Sequence, residues 1–208
     1  MLHVVLFRPA IPSNTGNIGR TCLGFGARLH LIRPLGFEIT EKEVKRAGLD
    51  HWEHVDLRVH DSWNAFAEAT LPLIGVDNTY LVSKRLKLGS TSIADVDFFP
   101  NLRQPPLPQQ APPLAAQHTQ RAFGASSGAT RDFVGEGGVA LVFGSEIDGL
   151  AGLEEAARRD LPAVFLPMRD DVIRSYNLSN AVAMALYEVD RQHRIATASL
   201  RKHDDVVS

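Results

Sequence analysis

Cysteine is almost absent from this chain of 208 residues, and the single one, Cys22, has no partner for an internal disulfide. So little cysteine is typical of a reducing compartment, and we expect a cytoplasmic protein. The chain also lacks any apolar run of the roughly 20 residues that a membrane helix needs. Its apolar amino terminus carries no basic leader or small-residue cleavage site. We therefore expect no signal peptide and no membrane partner.

Two common catalytic signatures are missing as well. The chain has no GxxxxGK[ST] segment, which excludes a P-loop nucleotide-hydrolysing enzyme. It has no HExxH or CxxC pairing, so a zinc site has no support and we expect no metal. Cys22 falls on an apolar helical face, where a buried and inert thiol is the expected state.

An excess of positive charge, the usual footprint of a nucleic-acid-binding protein, is missing too, because the net charge is −2. Basic residues are nevertheless concentrated locally, since residues 1–50 hold more Lys and Arg than Asp and Glu. Lys84, Arg85 and Lys87 form a second cluster. Such clusters are also common on ordinary solvated faces, so charge alone does not decide the partner.

Short apolar runs alternate with helical patterns along most of the chain. We predict strands at residues 3–7, 29–32, 57–59, 73–76, 80–83, 139–143 and 163–166. We predict helices at residues 17–26, at 61–69 with Asp61 as the cap, and at 177–193, and a capping box at 40–43. Alternation of this kind predicts an α/β fold with a mostly parallel sheet and helices on both faces.

The domain organisation follows from composition. Residues 101–138 are rich in Pro, Gln, Ala, Gly and Ser, which predicts an exposed, flexible insertion within one domain that spans residues 1–195. Residues 196–208 continue no helical pattern and are predicted to be a frayed tail. In parallel sheets ligands bind where strands end, which directs attention to the loops near residues 8–20, 144–150 and 167–177.

The first two of these loops carry unusual residue types. Residues 12–20 (PSNTGNIGR) combine Pro, Asn and Gly ahead of a helix, whose free amides and dipole attract anions, and Arg20 is expected on its first turns. Glu146 directly follows a buried strand and lies between Gly144 and Gly149, where a ligand backbone can approach closely. Each loop also has a purely structural interpretation, as a helix cap or as a capped turn.

The third loop leads into the predicted helix at 177–193. A helix start needs one capping residue, whereas this stretch supplies Ser175, Asn177, Ser179 and Asn180. The surplus of polar side chains favours a binding site over a cap alone.

Four segments together resemble the SPOUT class of RNA methyltransferases. They are IPSNTGNIGRTC at 11–22, RAGLDHWE at 46–53, LVFGSEIDGL at 141–150 and LPMRDDVIRSYNLSNAVAMALYE at 166–188. The RAGLDHWE segment is similar to the short tRNA (cytidine/uridine-2′-O)-methyltransferases that act on the wobble nucleotide. With the strands between them, these segments cover nearly everything except the insertion and the tail.

The resemblance implies a carboxy-terminal trefoil knot and an obligate homodimer in which the partner completes each site. It implies that S-adenosyl-L-methionine donates a methyl group to the ribose 2′-hydroxyl of the wobble nucleotide, in the anticodon stem-loop of tRNA. A 2′-O-methyltransferase of another tRNA position or of ribosomal RNA stays open as an alternative. So does a non-catalytic RNA-binding protein that retains the fold.

The resemblance also implies roles for individual residues. Those expected to line the methyl-donor pocket are Leu81, Gly144, Leu166 and Ser175. Those at the positions of active-site residues are Asn14, Arg20, Glu146, Ser175 and Asn177. Arginine stays protonated in proteins, so Arg20 either stabilises the developing oxyanion or acts beside an RNA phosphate that takes the proton. Either way, the enzyme mainly supplies positioning and a favourable field.

Two further expectations concern the surroundings of the site. The insertion at 101–138 departs from the short members of the class, and we expect it beside the donor pocket. We expect the positive surface for the anticodon stem to combine Arg28, Arg33, Lys45 and Arg46 from both subunits.

Overall fold

The computed structural model describes residues 1–38, 51–83, 90–100, 138–169 and 172–207. Its strands are β1 (Leu2–Phe7), β2 (Arg28–Ile32), β3 (Leu57–His60), β4 (Thr79–Ser83), β5 (Thr91–Ser92), β6 (Val139–Phe143) and β7 (Ala163–Phe165). They form one parallel sheet in the order β3-β2-β1-β6-β4-β7-β5. Because all strands run the same way, every carboxyl end lies at one edge of the sheet.

Helices cover both faces of this sheet. They are α1 (Pro12–Phe25), α2 (Trp63–Ile74), α3 (Glu155–Asp160) and α4 (Leu178–Val207), with short 3-10 turns at Trp52–His54 and Ile93–Asp95. One core cluster joins the sheet to α1 and α4, and a second joins it to α2 and α3. The predicted α/β fold with a parallel sheet between helices is confirmed.

Strand β1 shows why the middle of the sheet is stable. All six of its residues are buried, and successive side chains point to opposite faces. Leu6 packs into the cluster with α1 and α4, whereas Val5 and Phe7 pack into the cluster with α2. Burying each such side chain stabilises the fold by about 1.5–3 kcal/mol. A strand buried on both faces reads in the sequence as a continuous apolar run, and for this reason it was predictable.

The structure differs from the sequence prediction at the first two helices. Helix α1 begins at Pro12 and not at residue 17, because proline suits the first position of a helix and the stretch read as a loop is its first turn. The strand predicted at residues 73–76 is wrong, since α2 continues to Ile74. Ser62, and not Asp61, caps α2 by accepting a hydrogen bond from the amide of Ala65.

Helix α4 also differs, at its far end. It runs to Val207 and so continues through the stretch predicted to be a frayed tail. Its buried residues Val182, Leu186 and Val189 confirm the helical spacing expected over residues 177–193. The remaining strand and helix predictions differ from the structure by a residue or so at their ends, and β5 and α3 were not foreseen because both are short.

The residues that border the 101–137 stretch lie away from the carboxyl ends of the strands. The amide of Phe98 donates to Gln192 Oε1 (3.2 Å), and its ring packs on Tyr80 near the start of β4. The amide of Val139 donates to the carbonyl of Met1 at the start of β1. Both borders are therefore at the amino-terminal edge of the sheet, whereas the donor pocket was expected at the other edge. Residues 101–137 themselves, and the capping box at 40–43, lie outside the described residues.

Two smaller expectations concern Cys22 and the membrane. Cys22 is fully buried in the cluster with α1 and α4, and burial raises the pKa of its thiol to about 12. An inert structural thiol is the result. In the described part of the chain, no helix combines the length and the apolarity required to cross a membrane.

Three histidines form a ladder across β1, β2 and β3. Hydrogen bonds join His3 Nδ1 to His30 Nε2 (3.0 Å) and His30 Nδ1 to His60 Nε2 (2.9 Å). Phe66 of α2 packs edge-on against the rings of His30 and His60. Burial is the main reason why the pKa of His3 is lowered to about 4 and that of His30 to about 3. The buried ladder is therefore neutral at physiological pH.

We predict that this ladder makes folding sensitive to mild acid. An unfolded histidine takes up a proton near its ordinary pKa of 6.5, whereas folded His30 stays neutral down to about 3. The unfolded state then binds more protons, so the free energy of unfolding falls as pH drops from about 6.5 toward 4. His30→Gln should flatten this dependence by up to about 1.4 kcal/mol per pH unit, the value for one proton. Urea unfolding at several pH values measures it.

The matched control for this prediction is His54→Gln. His54 is mostly exposed, so replacing it should leave the pH dependence of unfolding as in the unmodified protein. Equal pH dependence in the His30→Gln variant and the unmodified protein would contradict a neutral buried ladder.

Candidate active site

Three segments meet at the carboxyl edge of the sheet. They are the connection from β1 to α1, the turn that follows β6, and the stretch that leads into α4. Strands β1 and β6 are neighbours, with Leu6 opposite Phe143, so the first two segments leave the sheet side by side. These are the three loops where the sequence predicts ligand binding.

Glu146 links these segments through both carboxylate oxygens. Its Oε2 accepts a hydrogen bond from the amide of Ala10 (2.9 Å), and its Oε1 accepts one from Asn14 Nδ2 (2.9 Å). The side-chain oxygen of Asn14, which is only 6% exposed, accepts from Asn177 Nδ2 at 3.0 Å. A carboxylate can only accept, so it fixes the orientation of the Asn14 amide, and that in turn fixes Asn177. We call Glu146, Asn14 and Asn177 the carboxylate–amide chain.

Asn177 also makes hydrogen bonds at the start of α4. Its Oδ1 accepts hydrogen bonds from the amide (2.9 Å) and from the hydroxyl (2.7 Å) of Ser179. This is a helix cap, so the structural interpretation of the segment holds for Asn177. The same side chain also reaches Asn14, and for this reason the cap is tied to the other two segments.

The turn after β6 depends on Gly144. Ser145 and Gly149 exchange two backbone hydrogen bonds of 2.9 and 2.8 Å, which fold the turn back on itself. A Cβ on Gly144 would overlap the backbone of Gly149, so the tight turn excludes any larger residue there. The turn points Glu146 toward Ala10 and Asn14 and leaves Ile147 exposed.

The residues expected around the methyl donor are distributed over the same edge. Gly144 directly follows β6, half-buried Leu166 directly follows β7, and Ser175 is exposed in the stretch before α4. The hydroxyl of Tyr176 donates to the carbonyl of Pro167 (2.9 Å), which holds that stretch to the end of β7. Leu81 lies inside β4 and is only 4% exposed, as part of the core beneath this edge.

Arg20 is not directed toward the carboxylate–amide chain. It lies six residues beyond Asn14 on α1, about 120° around the helix at 100° per residue. Asn14 faces inward, whereas Arg20 is exposed. Among the residues that the structure describes, no hydrogen bond or ion pair engages the Arg20 side chain. Because α1 begins earlier than predicted, Arg20 lies on its third turn and not on its first.

The expected positive surface is only partly at this edge. Arg33 follows β2 at the carboxyl edge, where it lies 3.4 Å from Asp61. Arg28 begins β2 at the opposite edge and is paired with Asp56 at 2.8 Å, and its part in an RNA-binding surface stays a prediction. Lys45, Arg46 and the cluster of Lys84, Arg85 and Lys87 lie outside the described residues.

Two contributors to this site were not predicted from the sequence. The amide of Ala10 binds Glu146, but a backbone group has no signature in a sequence. Tyr176 stands inside the segment that carries the resemblance, and its polar type was the available signal. In the RAGLDHWE segment the structure describes residues 51–53, and there the ring of Trp52 packs directly on Gly19 of α1.

The geometry suits chemistry that depends on positioning. A fixed carboxylate, two oriented amides and exposed hydroxyl groups lie at the ends of adjacent strands. Within the described ranges, no group of three or more His, Cys, Asp or Glu side chains is arranged to hold a metal ion. The site can orient a hydroxyl-bearing substrate beside a second ligand.

We predict that Asn14→Ala breaks the carboxylate–amide chain. The half-buried carboxylate of Glu146 then loses one charged hydrogen bond, so the free energy of unfolding should fall by about 1–3 kcal/mol. Amide hydrogen exchange at residues 172–177 should become faster, because that stretch is no longer tied to Glu146. Asn17→Ala, an exposed asparagine one turn along the same helix, is the control and should change neither quantity appreciably. Equal exchange in the two variants would contradict the proposed tie.

Known proteins resemble this chain over most of its length. The tRNA (cytidine(34)-2′-O)-methyltransferase of Methylovorus glucosotrophus is 36% identical over 200 residues, which are 95% of this chain and 99% of that protein. The protein of the same name from Burkholderia pseudomallei is 36% identical over 192 residues, 92% of this chain and 96% of that one.

Solved structures agree with this similarity. One, described as "Structural insights into the 2-OH methylation of C/U34 on tRNA", is 38% identical with a TM-score of 0.64 and covers 92% of this chain and 95% of its own. An AdoMet-bound rRNA methyltransferase from Sinorhizobium meliloti, at 17% identity and a TM-score of 0.60, covers 91% of this chain and 56% of its own, and it shares the fold. The family model described as "SpoU rRNA Methylase family" matches residues 1–187. This chain therefore belongs to the SpoU family of RNA methylases.

Proposed function

We propose that this protein transfers a methyl group from S-adenosyl-L-methionine to the ribose 2′-hydroxyl of the wobble nucleotide of tRNA, a cytidine or uridine, in the cytoplasm. The observation that carries the proposal is the carboxylate–amide chain, which joins three of the segments that resemble the class. Relatives that match nearly the whole chain are named for cytidine 34, and one solved neighbour concerns C/U34. The proposal includes the carboxy-terminal trefoil knot of the class.

The ends of β6 and β7 suit the methyl donor. Gly144 presents bare backbone at the end of β6, Leu166 offers a half-buried apolar surface, and Ser175 offers a hydroxyl group. These types match a ligand with an adenine ring and a charged amino-acid part. When bound, the donor supplies an electrophilic methyl group on a sulfonium. Leu81 supports this pocket from the core below.

The residues of the chain mainly hold the reacting hydroxyl in line. The 2′-oxygen attacks the methyl carbon while the carbon–sulfur bond breaks, and the hydroxyl proton leaves to an RNA phosphate or to water. Asn177 and Ser175 orient the ribose and the loop, and Glu146 keeps Asn14 and Asn177 in place. Arg20 stays protonated, so it stabilises the negative charge that develops on the 2′-oxygen.

In this proposal Arg20 comes from a second copy of the chain. It lies on the outward side of α1, and α1 packs against α4. Met184, Tyr187 and Ile195 are 38%, 56% and 49% exposed and recur on one outward stripe of α4. Burying this stripe against its copy would form a homodimer through α1 and α4. Arg20 of one protomer would then face the carboxylate–amide chain of the other.

We predict that the purified protein methylates tRNA taken from a strain that lacks the gene. Labelled S-adenosyl-L-methionine and nucleoside mapping should place the methyl group on the 2′-oxygen of the wobble nucleotide. Arg20→Ala should lower kcat by about 100-fold or more, the scale for losing one oriented charge at a developing oxyanion. Binding of S-adenosylhomocysteine should be unchanged, because Arg20 does not contact the donor.

Other outcomes of this assay identify the alternatives. Label in ribosomal RNA or at another tRNA position would move the assignment to a different substrate within the family. Donor binding without transfer to any RNA would indicate a non-catalytic RNA-binding protein. Normal turnover by Arg20→Ala would remove Arg20 from the mechanism.

A mixing experiment tests whether Arg20 acts across the dimer. Arg20→Ala and Glu146→Gln are each expected to be inactive alone. Co-expression at equal amounts makes about half of the dimers mixed, and each mixed dimer has one intact site if Arg20 comes from the partner. Activity should return to about a quarter of the unmodified level by this count. No recovery, with mixed dimers verified by two affinity tags, would show that Arg20 serves its own protomer.

A further inference from the structure

Arg8 has an unusual position and backbone. It is the first residue after β1, at the carboxyl edge where the carboxylate–amide chain lies. Its φ of 55° falls in the left-handed region, which residues other than glycine adopt infrequently. The Arg8 amide donates to the carbonyl of Ile32 at 3.0 Å, so the end of the β1–β2 ladder holds this conformation. Ala10, whose amide binds Glu146, follows two residues later.

The side chain of Arg8 crosses to the segment after the Glu146 turn. A Cβ built on Gly152 would lie only 2.9 Å from Arg8 Nη1, so the guanidinium rests against the bare backbone of that glycine. The side chain thus connects the first two segments of the site. Arg8 as a whole is half-buried.

Arg8 also differs from Arg28 and Arg194 in its charge environment. Arg28 is paired with Asp56 at 2.8 Å, and Arg194 is paired with Asp190 at 2.9 Å. Among the described residues, no carboxylate pairs with Arg8. A guanidinium offers a planar fork of donors that matches two oxygens of a phosphate. In a chain of net charge −2, a guanidinium beside the site that has no carboxylate partner among the described residues suits an anionic substrate.

We propose that Arg8 is a positioning residue that binds a phosphate of the RNA next to the methylated nucleotide. The inference rests on the proposed function, because that function brings RNA to this edge. Phosphate contacts fix the register of a nucleic acid on a protein without reading its sequence. Arg8 therefore holds the target ribose over Glu146, Asn14 and Asn177. Arg33, at the end of the neighbouring β2, shares its charge with Asp61 and contributes less.

The test compares Arg8→Gln with Arg159→Gln, which removes the same charge from an exposed position on α3. Helix α3 leads to the start of β7, so Arg159 lies toward the opposite edge of the sheet. Arg8→Gln should raise KM for tRNA about fivefold to tenfold, the scale of one exposed charged contact. The slope of log affinity against log salt should fall by about 0.7–0.9, the value for one lost phosphate contact. The kcat at saturating tRNA and the affinity for S-adenosylhomocysteine should not change.

Two further variants separate binding from a structural role. Arg8→Lys keeps the charge and should keep the salt slope, with a smaller rise in KM. Arg8→Gly removes the side chain but suits the left-handed backbone, so its melting temperature should equal or exceed that of the unmodified protein. Its KM for tRNA should nevertheless rise as in Arg8→Gln.

Several results would overturn the inference. One is the same KM and salt slope for Arg8→Gln and Arg159→Gln. Another is weaker binding of S-adenosylhomocysteine, which would assign Arg8 to the donor carboxylate. A third is a lower melting temperature in every Arg8 variant in parallel with KM, which would make Arg8 a structural brace. If the unmodified protein neither binds nor methylates tRNA, the proposed function itself fails, and that outcome is distinct because it appears before any substitution.

Discussion

The hydrogen bonds of the Glu146 carboxylate are the interactions on which the site depends. They join the end of β1, the first turn of α1 and the turn after β6, and through Asn14 they reach the cap of α4. More than 130 residues separate the partners along the chain, so the parallel pairing of β1 with β6 must first bring them together. Each hydrogen bond to a charged group then contributes about 1.5–3 kcal/mol. The positions of the site loops therefore depend on the pairing of the two strands, β1 and β6, that carry them.

The strands that position the site were predictable from the sequence because of their burial. Strands β1 and β6 are buried on both faces, and such strands read as unbroken apolar runs. The apolar run at 73–76 has the same appearance but ends a helix, and Leu73 on it is 72% exposed. Only tertiary packing distinguishes the two cases, because local composition is alike. Strand β5 has two residues and α3 has six, which is too short for any period to show.

The site was predictable in its residues but not in its connections. The sequence predicts Asn14, Glu146 and Asn177 as site residues, and the structure brings them together. Arg20 was named as well, yet its direction depends on where α1 begins, and a five-residue error in a helix start leaves its face undetermined. The amide of Ala10 has no side-chain signature at all. The roles of Leu81, Leu166 and Ser175 toward the methyl donor stay predictions.

The distribution of charge resolves the apparent conflict between an acidic chain and an RNA substrate. On α4 and at the start of β2, arginines are compensated by Glu188, Asp190 and Asp56, so they add little to the field that an approaching RNA experiences. Arg8 and Arg20 have no such partner in the described part of the chain. Association depends on local potential, because the Debye length of about 8 Å at physiological salt screens distant charges. Net charge is therefore a poor guide here, since an uncompensated arginine beside the carboxylate–amide chain sets the local potential, while ion pairs cancel the charge of other arginines.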